Sequence, residues 1–162
     1  MSTQPRIEQL PGKKLIGMYL RMTLAENRTA DLWRTFMPRR REIIHAVGTD
    51  LYSIQDYNRG WAPQSFTPHT PFNRWATAEV SDISNIPAGM ESFQLEGLYA
   101  VFLHHGPPSA FMPTFRRIFH EWLPASAYVL DDRPHFEILG AKYKHDHPDS
   151  EEEVWIPIRP KE

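Results

Sequence analysis

A glutamate within a short strand-like segment has the surroundings of a ligand-binding carboxylate. In His135-Phe136-Glu137-Ile138-Leu139, the alternation of side chains along a strand places Phe136 and Ile138 on one face and Glu137 on the other. If the apolar pair packs against helices, Glu137 faces a pocket on the opposite side of the sheet. A carboxylate among aromatic rings favours a lipophilic cation, because charge pairing and cation–π contacts then act together.

Two other interpretations of Glu137 stay open. The same apolar surroundings disfavour the charged form, which raises the pKa of the carboxyl group and leaves it able to donate or accept a proton. This is the chemistry of an enzyme rather than of a simple binder. The plainest alternative is a strand glutamate that is exposed to solvent.

Metal, cofactor and nucleotide chemistry find little support in the residue pattern. His104 and His105 are adjacent on a strand and therefore point to opposite faces, and His145-Asp146-His147 lies in a polar turn that we predict to be solvated. The chain has no cysteine, no Gly-rich phosphate loop and no nucleophile elbow. We therefore expect neither a metal site nor a cofactor.

The composition indicates one folded domain over residues 1–162. Hydrophobic residues make up 41% of the chain, and a net charge of -2 argues against direct binding of nucleic acid. The N-terminal residues lack an apolar signal region, and no apolar run approaches the roughly 20 residues of a membrane span. The absence of cysteine suits a reducing cytosol, so we expect a cytoplasmic protein. The charge runs Arg39-Arg40-Arg41 and Glu151-Glu152-Glu153 are typical of solvated surfaces.

Strand and helix signals follow one another in the order βαββ, then βαββ. The predicted elements of the first half are a strand at 15–22, a helix at 30–47 with Thr29 as N-cap, and strands at 51–57 and 75–80. Those of the second half are a strand at 97–105, a helix that Ser109 caps and Pro124 ends, and strands at 135–139 and 154–158.

The two halves, at about 13–82 and 95–159, also have a similar sequence motif. Phe36–His45 reads FMPRRREIIH and Phe111–His120 reads FMPTFRRIFH. Repeats of one supersecondary unit often build a core that neither unit buries alone, although two amphipathic helices can also match by chance. Two βαββ units imply an α+β fold, in which an antiparallel sheet carries two main helices on one face and a ligand pocket on the other.

A set of short motifs in the second half occurs in a recognisable order. The motifs are Tyr99-Ala100-Val101-Phe102, His105-Gly106, Glu121-Trp122-Leu123-Pro124, Asp131-Asp132-Arg133-Pro134, Phe136-Glu137 and Glu152-Glu153-Val154-Trp155-Ile156-Pro157-Ile158. Their order resembles the GyrI-like small-molecule-binding family, best over residues 97–158. The first half agrees through Leu32-Trp33, Phe36-Met37-Pro38 and Leu51-Tyr52. The family often has an aromatic residue where this chain has Leu139.

The resemblance implies the fold of the effector-binding domains of AraC-type and multidrug-responsive regulators. It implies that Glu137 matches the family glutamate that meets cationic ligands. The aromatic residues proposed with it as ligand-binding are Tyr19, Tyr57, Tyr99, Trp122 and Trp155. The sequence has no helix-turn-helix module, so a regulatory role needs a separate chain.

Three functions are compatible with the resemblance. The leading expectation is a stand-alone, non-catalytic domain that binds apolar and cationic small molecules for sequestration or sensing. The first alternative is a hydrolase of cyclopropane-bearing or similar electrophilic toxins, in which Glu137 and Tyr99 are the catalytic pair. The second is an interaction with a protein partner, as in the gyrase inhibitory protein; the sequence does not identify such a partner.

Overall fold

An antiparallel sheet with two helical segments on one face makes up the described part of the chain. A computed structural model describes residues 4–144 and 147–162. The strands in these residues are β1 (Arg6–Met22), β2 (Ala46–Asp56), β3 (Phe72–Val80), β4 (Glu91–His105), β5 (Tyr128–Leu130), β6 (His135–Leu139) and β7 (Glu151–Pro160). The predicted α+β class is confirmed.

The helices differ in regularity. The first, α1 (Thr29–Arg39), ends in a 3-10 turn at Arg40–Glu42. The second run begins as α2 (Phe111–Arg116), continues as a π-helical segment (Arg117–Trp122) and closes with the short turn α3 (Leu123–Ala125). Further 3-10 turns lie at Pro63–Ser65 and Pro108–Ala110. In the described residues, no helix is both long and apolar enough to cross a membrane.

Strand pairing follows the same pattern in both halves. β3 lies between β1 and β2 in the first half, and β7 lies between β4 and β6 in the second. The halves meet twice, through β1 with β4 and through β2 with β6. Because β4 also pairs with β7, the strands close into a ring. β5, which the sequence did not predict, adds to the edge of β7 near its end.

The two sides of the ring bury different sets of side chains. The interior holds an aromatic core, the interior cluster, whose large members are Tyr52, Trp75, Tyr99, Phe136 and Trp155. The outer face packs against the helices in two patches, one around Leu32 and Phe36 of α1 and one around Ile118 and Phe119 of the π-helical segment. The helix-free face, where the sequence predicts a pocket, is therefore filled because the ring closes on it.

Several predicted boundaries are wrong, each for a local reason. The helix expected over 30–47 ends at Arg39, directly after Pro38, and the chain is extended in β2 from Ala46. Thr29 is the first helical residue and not the cap, since its amide donates to Asn27 Oδ1 at 2.9 Å. Ser109 lies in a 3-10 turn before α2 and makes no cap.

The start of β6 is held by the guanidinium of Arg133. This group donates to the carbonyl oxygens of Glu96 at 2.7 Å and Ile158 at 3.1 Å, and to the Asp131 carboxylate at 2.7 Å. Gly97 makes room for it, because a Cβ there would clash with Arg133 Nη1. Arg133 thus ties the start of β6 to β4 and β7, which fixes the strand that carries Glu137.

Candidate functional site

Glu137 lies on the outer, helix-bearing face of β6. Its ladder partners are Ser53 on β2 and Val154 on β7. The residue before it, Phe136, packs in the interior cluster against Tyr99 with ring centroids 5.1 Å apart. Because successive side chains of a strand alternate, Glu137 points away from that interior.

The orientation expected from the sequence is therefore wrong. Phe136 and Ile138 pack in the ring interior and not against the helices. Both faces of this sheet are covered by apolar groups, so an apolar pair on a strand fits either face. Alternation separates Glu137 from its two neighbours correctly, but it does not tell which of the two faces carries the helices.

Four polar side chains surround Glu137 and form with it the polar cluster: Ser53, Gln55, Arg74 and Glu152. Gln55 lies two residues from the ladder partner of Glu137 and pairs in turn with Arg74 on β3. Glu152 lies on the same face of β7 as Val154, two residues away. Glu152 is 8% exposed; Glu137 is half-buried as a residue, but its Oε2 is out of contact with solvent.

Burial controls the protonation of both carboxyl groups. It raises the pKa of Glu137 to about 7, against the opposing effects of the Arg74 guanidinium and the Gln55 amide. It also raises the pKa of Glu152 to about 8, together with the charge of Glu137 and again against Arg74. Two ionised carboxylates in the same buried cluster repel each other. The pair therefore retains a proton near neutral pH.

Three atoms of the polar cluster are buried without a hydrogen-bond partner in the described residues. They are Glu137 Oε2, Gln55 Nε2 and Arg74 Nε. An unpaired buried polar atom costs about 1–3 kcal/mol, so such atoms are scarce in folded proteins. Their concentration around one carboxylate indicates a site that solvent or a ligand completes.

Five rings form an aromatic layer beside the polar cluster: Tyr57, Trp61, Phe66, Phe119 and His135. Trp61 stacks on Tyr57 with centroids 4.1 Å apart and planes 10° apart. It meets His135 edge-on at 5.0 Å and Phe119 edge-on at 6.0 Å. His135 lies on the same face of β6 as Glu137, two residues away. Tyr57 and His135 therefore place aromatic ring surface next to the carboxylate.

The polar groups within the aromatic layer are held neutral. Burial raises the pKa of the Tyr57 hydroxyl, and the charge of Glu137 adds to this effect. Burial lowers the pKa of His135 to about 3, with a further contribution from Arg133, so its imidazole carries no charge at neutral pH. The charged group that acts on the two carboxyl groups is Arg74, and the charge of Glu137 also acts on Glu152.

A groove of about 470 Å³ opens on the other side of the aromatic layer. Trp61 and Phe119 belong both to the layer and to the groove wall, and Leu123, Tyr128 and Asp131 line it further. Tyr57 and His135, the layer residues next to Glu137, do not line the groove. A second depression, of about 390 Å³, borders Glu152 and gives that carboxyl group a separate approach from solvent.

The aromatic residues proposed from the sequence do not gather around Glu137. Tyr57 lies beside it, but Tyr99 and Trp155 lie in the interior cluster, on the opposite face of the sheet. The Tyr99 hydroxyl donates to the Pro134 carbonyl at 2.9 Å, so the structure does not bring Tyr99 and Glu137 together as a catalytic pair.

Trp122 and Tyr19 lie away from the carboxylate as well. Trp122 packs on the helix side against Phe102, with centroids 5.2 Å apart. Tyr19 is 41% exposed and lies against Trp75 at 4.7 Å.

The sequence analysis missed Glu152, Arg74 and Trp61. Glu151-Glu152-Glu153 was expected to be a solvated surface, but all three residues are in β7. The burial of Glu152 is predictable from the sequence. Val154, Ile156 and Ile158 are buried on one face of β7, and Glu152, two residues before Val154, lies on the same face.

The histidines considered as metal ligands are not grouped around a common point in the described residues. His104 is buried, with Nδ1 2.7 Å from Thr114 Oγ1 and Nε2 3.0 Å from the Pro107 carbonyl oxygen. His147 is close to Asp149, while His145 and Asp146 lie outside the described residues. Within the described ranges, no group of three potential ligands is placed to hold a metal ion.

The antiparallel sheet with a helical segment from each half packed on its outer face defines the class of the protein, an α+β domain. Residues 3–159 match the GyrI-like small molecule binding domain, and the chain belongs to this family. The resemblance of the sequence motifs is thereby confirmed.

The chain is similar in sequence to a transcriptional regulator and in fold to several solved structures. The chain is 26% identical over 155 residues to the transcriptional regulator BrlR of Pseudomonas aeruginosa; the match covers 94% of this chain and 54% of BrlR, so the chain spans about half the length of that relative. The structure is similar to SAV2435 bound to tetraphenylphosphonium, at 14% identity and a TM-score of 0.65, covering 96% and 94% of the two chains. It is also similar to a hydrolase encoded by lin2189 from Listeria innocua, at 10% identity and a TM-score of 0.65, covering 98% and 93%.

The buried carboxyl groups predict a pH-dependent stability. The folded-state pKa values of Glu137, about 7, and Glu152, about 8, lie above the unfolded value of about 4.3. The folded state therefore binds more protons, and stability falls as the pH rises between about 5 and 8. In urea unfolding, we expect the Glu137→Gln, Glu152→Gln double variant to lose less stability over this range than the wild type, by several kcal/mol. Identical pH profiles would contradict the raised pKa values.

Proposed function

We propose that the chain binds apolar cationic small molecules at the polar cluster, with Glu137 as the main counter-ion. The observation that carries the proposal is the buried, unpaired Oε2 of Glu137 beside a second buried carboxyl group, Glu152. A bound cation supplies the positive charge that these groups lack and replaces the proton that they otherwise retain. The result is sequestration or sensing of the compound.

The surroundings of Glu137 suit a lipophilic cation better than a small hydrated one. Tyr57 and Phe119 offer ring faces and edges, and a cation over an aromatic face is attracted by the ring quadrupole. The neutral imidazole of His135 adds no repulsion. The similar protein SAV2435 was solved with tetraphenylphosphonium, a cation of this class, which supports the proposal by analogy.

Replacement of the central carboxyl group tests this proposal. We expect Glu137→Gln to bind tetraphenylphosphonium about tenfold or more weakly than the wild type, because the amide keeps the shape but removes one charge interaction in a desolvated site. Isothermal titration calorimetry at pH 8 measures the affinity. Glu96→Gln is the matched control, since Glu96 is an exposed strand glutamate on β4. Equal affinities of the wild type and Glu137→Gln would refute a role for this carboxylate.

A second candidate function is hydrolysis of strained electrophiles, and the protonation of the carboxyl pair favours it. With pKa values near 7 and 8, one carboxyl group is able to give a proton while its neighbour accepts one. The acid protonates the carbon that leaves when a cyclopropane bond opens. The base takes a proton from the water whose oxygen bonds to the other carbon, so one water is added across the broken bond.

Turnover distinguishes this candidate from binding alone. With a cyclopropane-bearing electrophile in excess, a hydrolase releases many equivalents of hydrated product, as followed by mass spectrometry. Glu137→Gln should then lose turnover while it still binds the substrate, with Glu96→Gln again as the control. Product that never exceeds one equivalent of protein would rule out catalysis and leave the binding proposal.

A further inference from the structure

Trp61 stands at the point where the groove would otherwise reach the polar cluster. Resting on the function proposed above, we propose that the indole of Trp61 fills the ligand slot in the free protein, and that a flat aromatic cation displaces it. The inference names the ligand class, planar and delocalised, and it identifies the groove as the route to Glu137.

The surroundings of the Trp61 indole are those of a binding slot for a planar group. Tyr57 lies parallel to it at 4.1 Å, as one stacking wall. His135, Phe66 and Phe119 stand at 81°, 63° and 73° to it, with centroids 5.0, 5.6 and 6.0 Å away. One parallel wall and three upright walls form a box that accepts a flat ring system of about the size of an indole.

The indole fits this box in shape but not in polarity. Its Nε1 is buried and has no hydrogen-bond partner in the described residues, and the same holds for Oε2 of Glu137. A neutral ring in the slot therefore leaves both a donor and a carboxylate unsatisfied. A planar cation of similar size keeps the stacking on Tyr57 and adds a positive charge near Glu137 and Glu152.

The turn that carries Trp61 is closed by one backbone hydrogen bond, which the Trp61 amide donates to the Asn58 carbonyl at 3.0 Å, and it has few other polar contacts. Gly60, directly before it, has a φ of +82°, and a Cβ there would meet nothing within 4 Å. The Gly60 amide donates to Asp132 Oδ2 at 3.2 Å, and the Arg59 guanidinium lies 3.9 Å from the same atom at the exposed surface. Rotation about Gly60 is able to carry the indole out without disturbing β2 or β3.

Displacement of the indole would join two spaces. Trp61 and Phe119 form part of the wall of the 470 Å³ groove, and Tyr57 and His135 lie on the other side of Trp61. Once the indole has moved, the slot extends from the groove to the rings next to Glu137. A ligand with a planar charged part and an apolar extension then uses both spaces.

Ethidium, a planar aromatic cation, is the probe for this inference. We expect Trp61→Ala to bind ethidium about tenfold more tightly than the wild type, because the free energy of moving the indole out of the slot is no longer required. In stopped-flow fluorescence, the wild-type association rate should level off at high ethidium concentration, whereas the Trp61→Ala rate should keep rising. Trp61→Phe, with a smaller ring in the slot, should lie between the two and also tests the inference if Trp61→Ala fails to fold.

Trp33→Ala is the matched control, because Trp33 lies on α1 against Phe36 and outside the aromatic layer. It should bind ethidium as the wild type does. Unchanged or weaker binding by Trp61→Ala, with Glu137→Gln still lowering affinity, overturns the displacement of Trp61 and leaves the proposed function standing. If neither the wild type nor Trp61→Ala binds ethidium or tetraphenylphosphonium, both proposals are overturned.

Discussion

The burial of two carboxyl groups beside one guanidinium sets the chemistry of this protein. Outside water, the repulsion between Glu137 and Glu152 is much stronger than at a surface, and Arg74 compensates for only one of the two charges. The rings of Tyr57 and His135 exclude solvent without adding charge. A retained proton or a bound cation relieves this repulsion, so the same cluster suits both the binding of a cation and the transfer of a proton.

The ring of strands explains where this cluster lies. Ser53, Gln55 and Arg74 come from the first half, Glu137 and Glu152 from the second, and the junction of β2 with β6 brings them together. The helices α1 and α2 pack on the same outer face, one from each half. Closure of the ring by β4 and β7 fills the opposite face with the interior cluster, so the helix-bearing face is the one that holds the candidate site.

Local sequence patterns predicted the architecture well. Side-chain alternation and the paired FMP motifs indicated two βαββ units, and pairing within the units repeats as expected. Alternation could not predict which face of the sheet carries the Glu137 side chain, because Phe136 and Ile138 fit the ring interior as well as a helix-covered surface. For the same reason Tyr99, at the centre of the most apolar strand, turned out to point inside.

The missed residues show where local patterns fail. The position of Trp61 depends on how the segment between β2 and β3 folds back over Tyr57, and no periodicity describes such a segment. Glu152 was hidden in an acidic run that resembles a solvated loop, although its burial follows once β7 is extended to Glu151. Arg74 lies on a strand and becomes relevant only through its neighbours on β2.

Proton release on cation binding tests the central claim most directly. Calorimetric titration of the wild type with tetraphenylphosphonium at pH 7.5, in buffers of different ionisation enthalpy, counts the protons released per bound cation. We predict release of roughly half to one proton, since the cation replaces the proton shared by Glu137 and Glu152. Binding without any proton release, at an affinity that does not change between pH 6 and 9, would contradict the account.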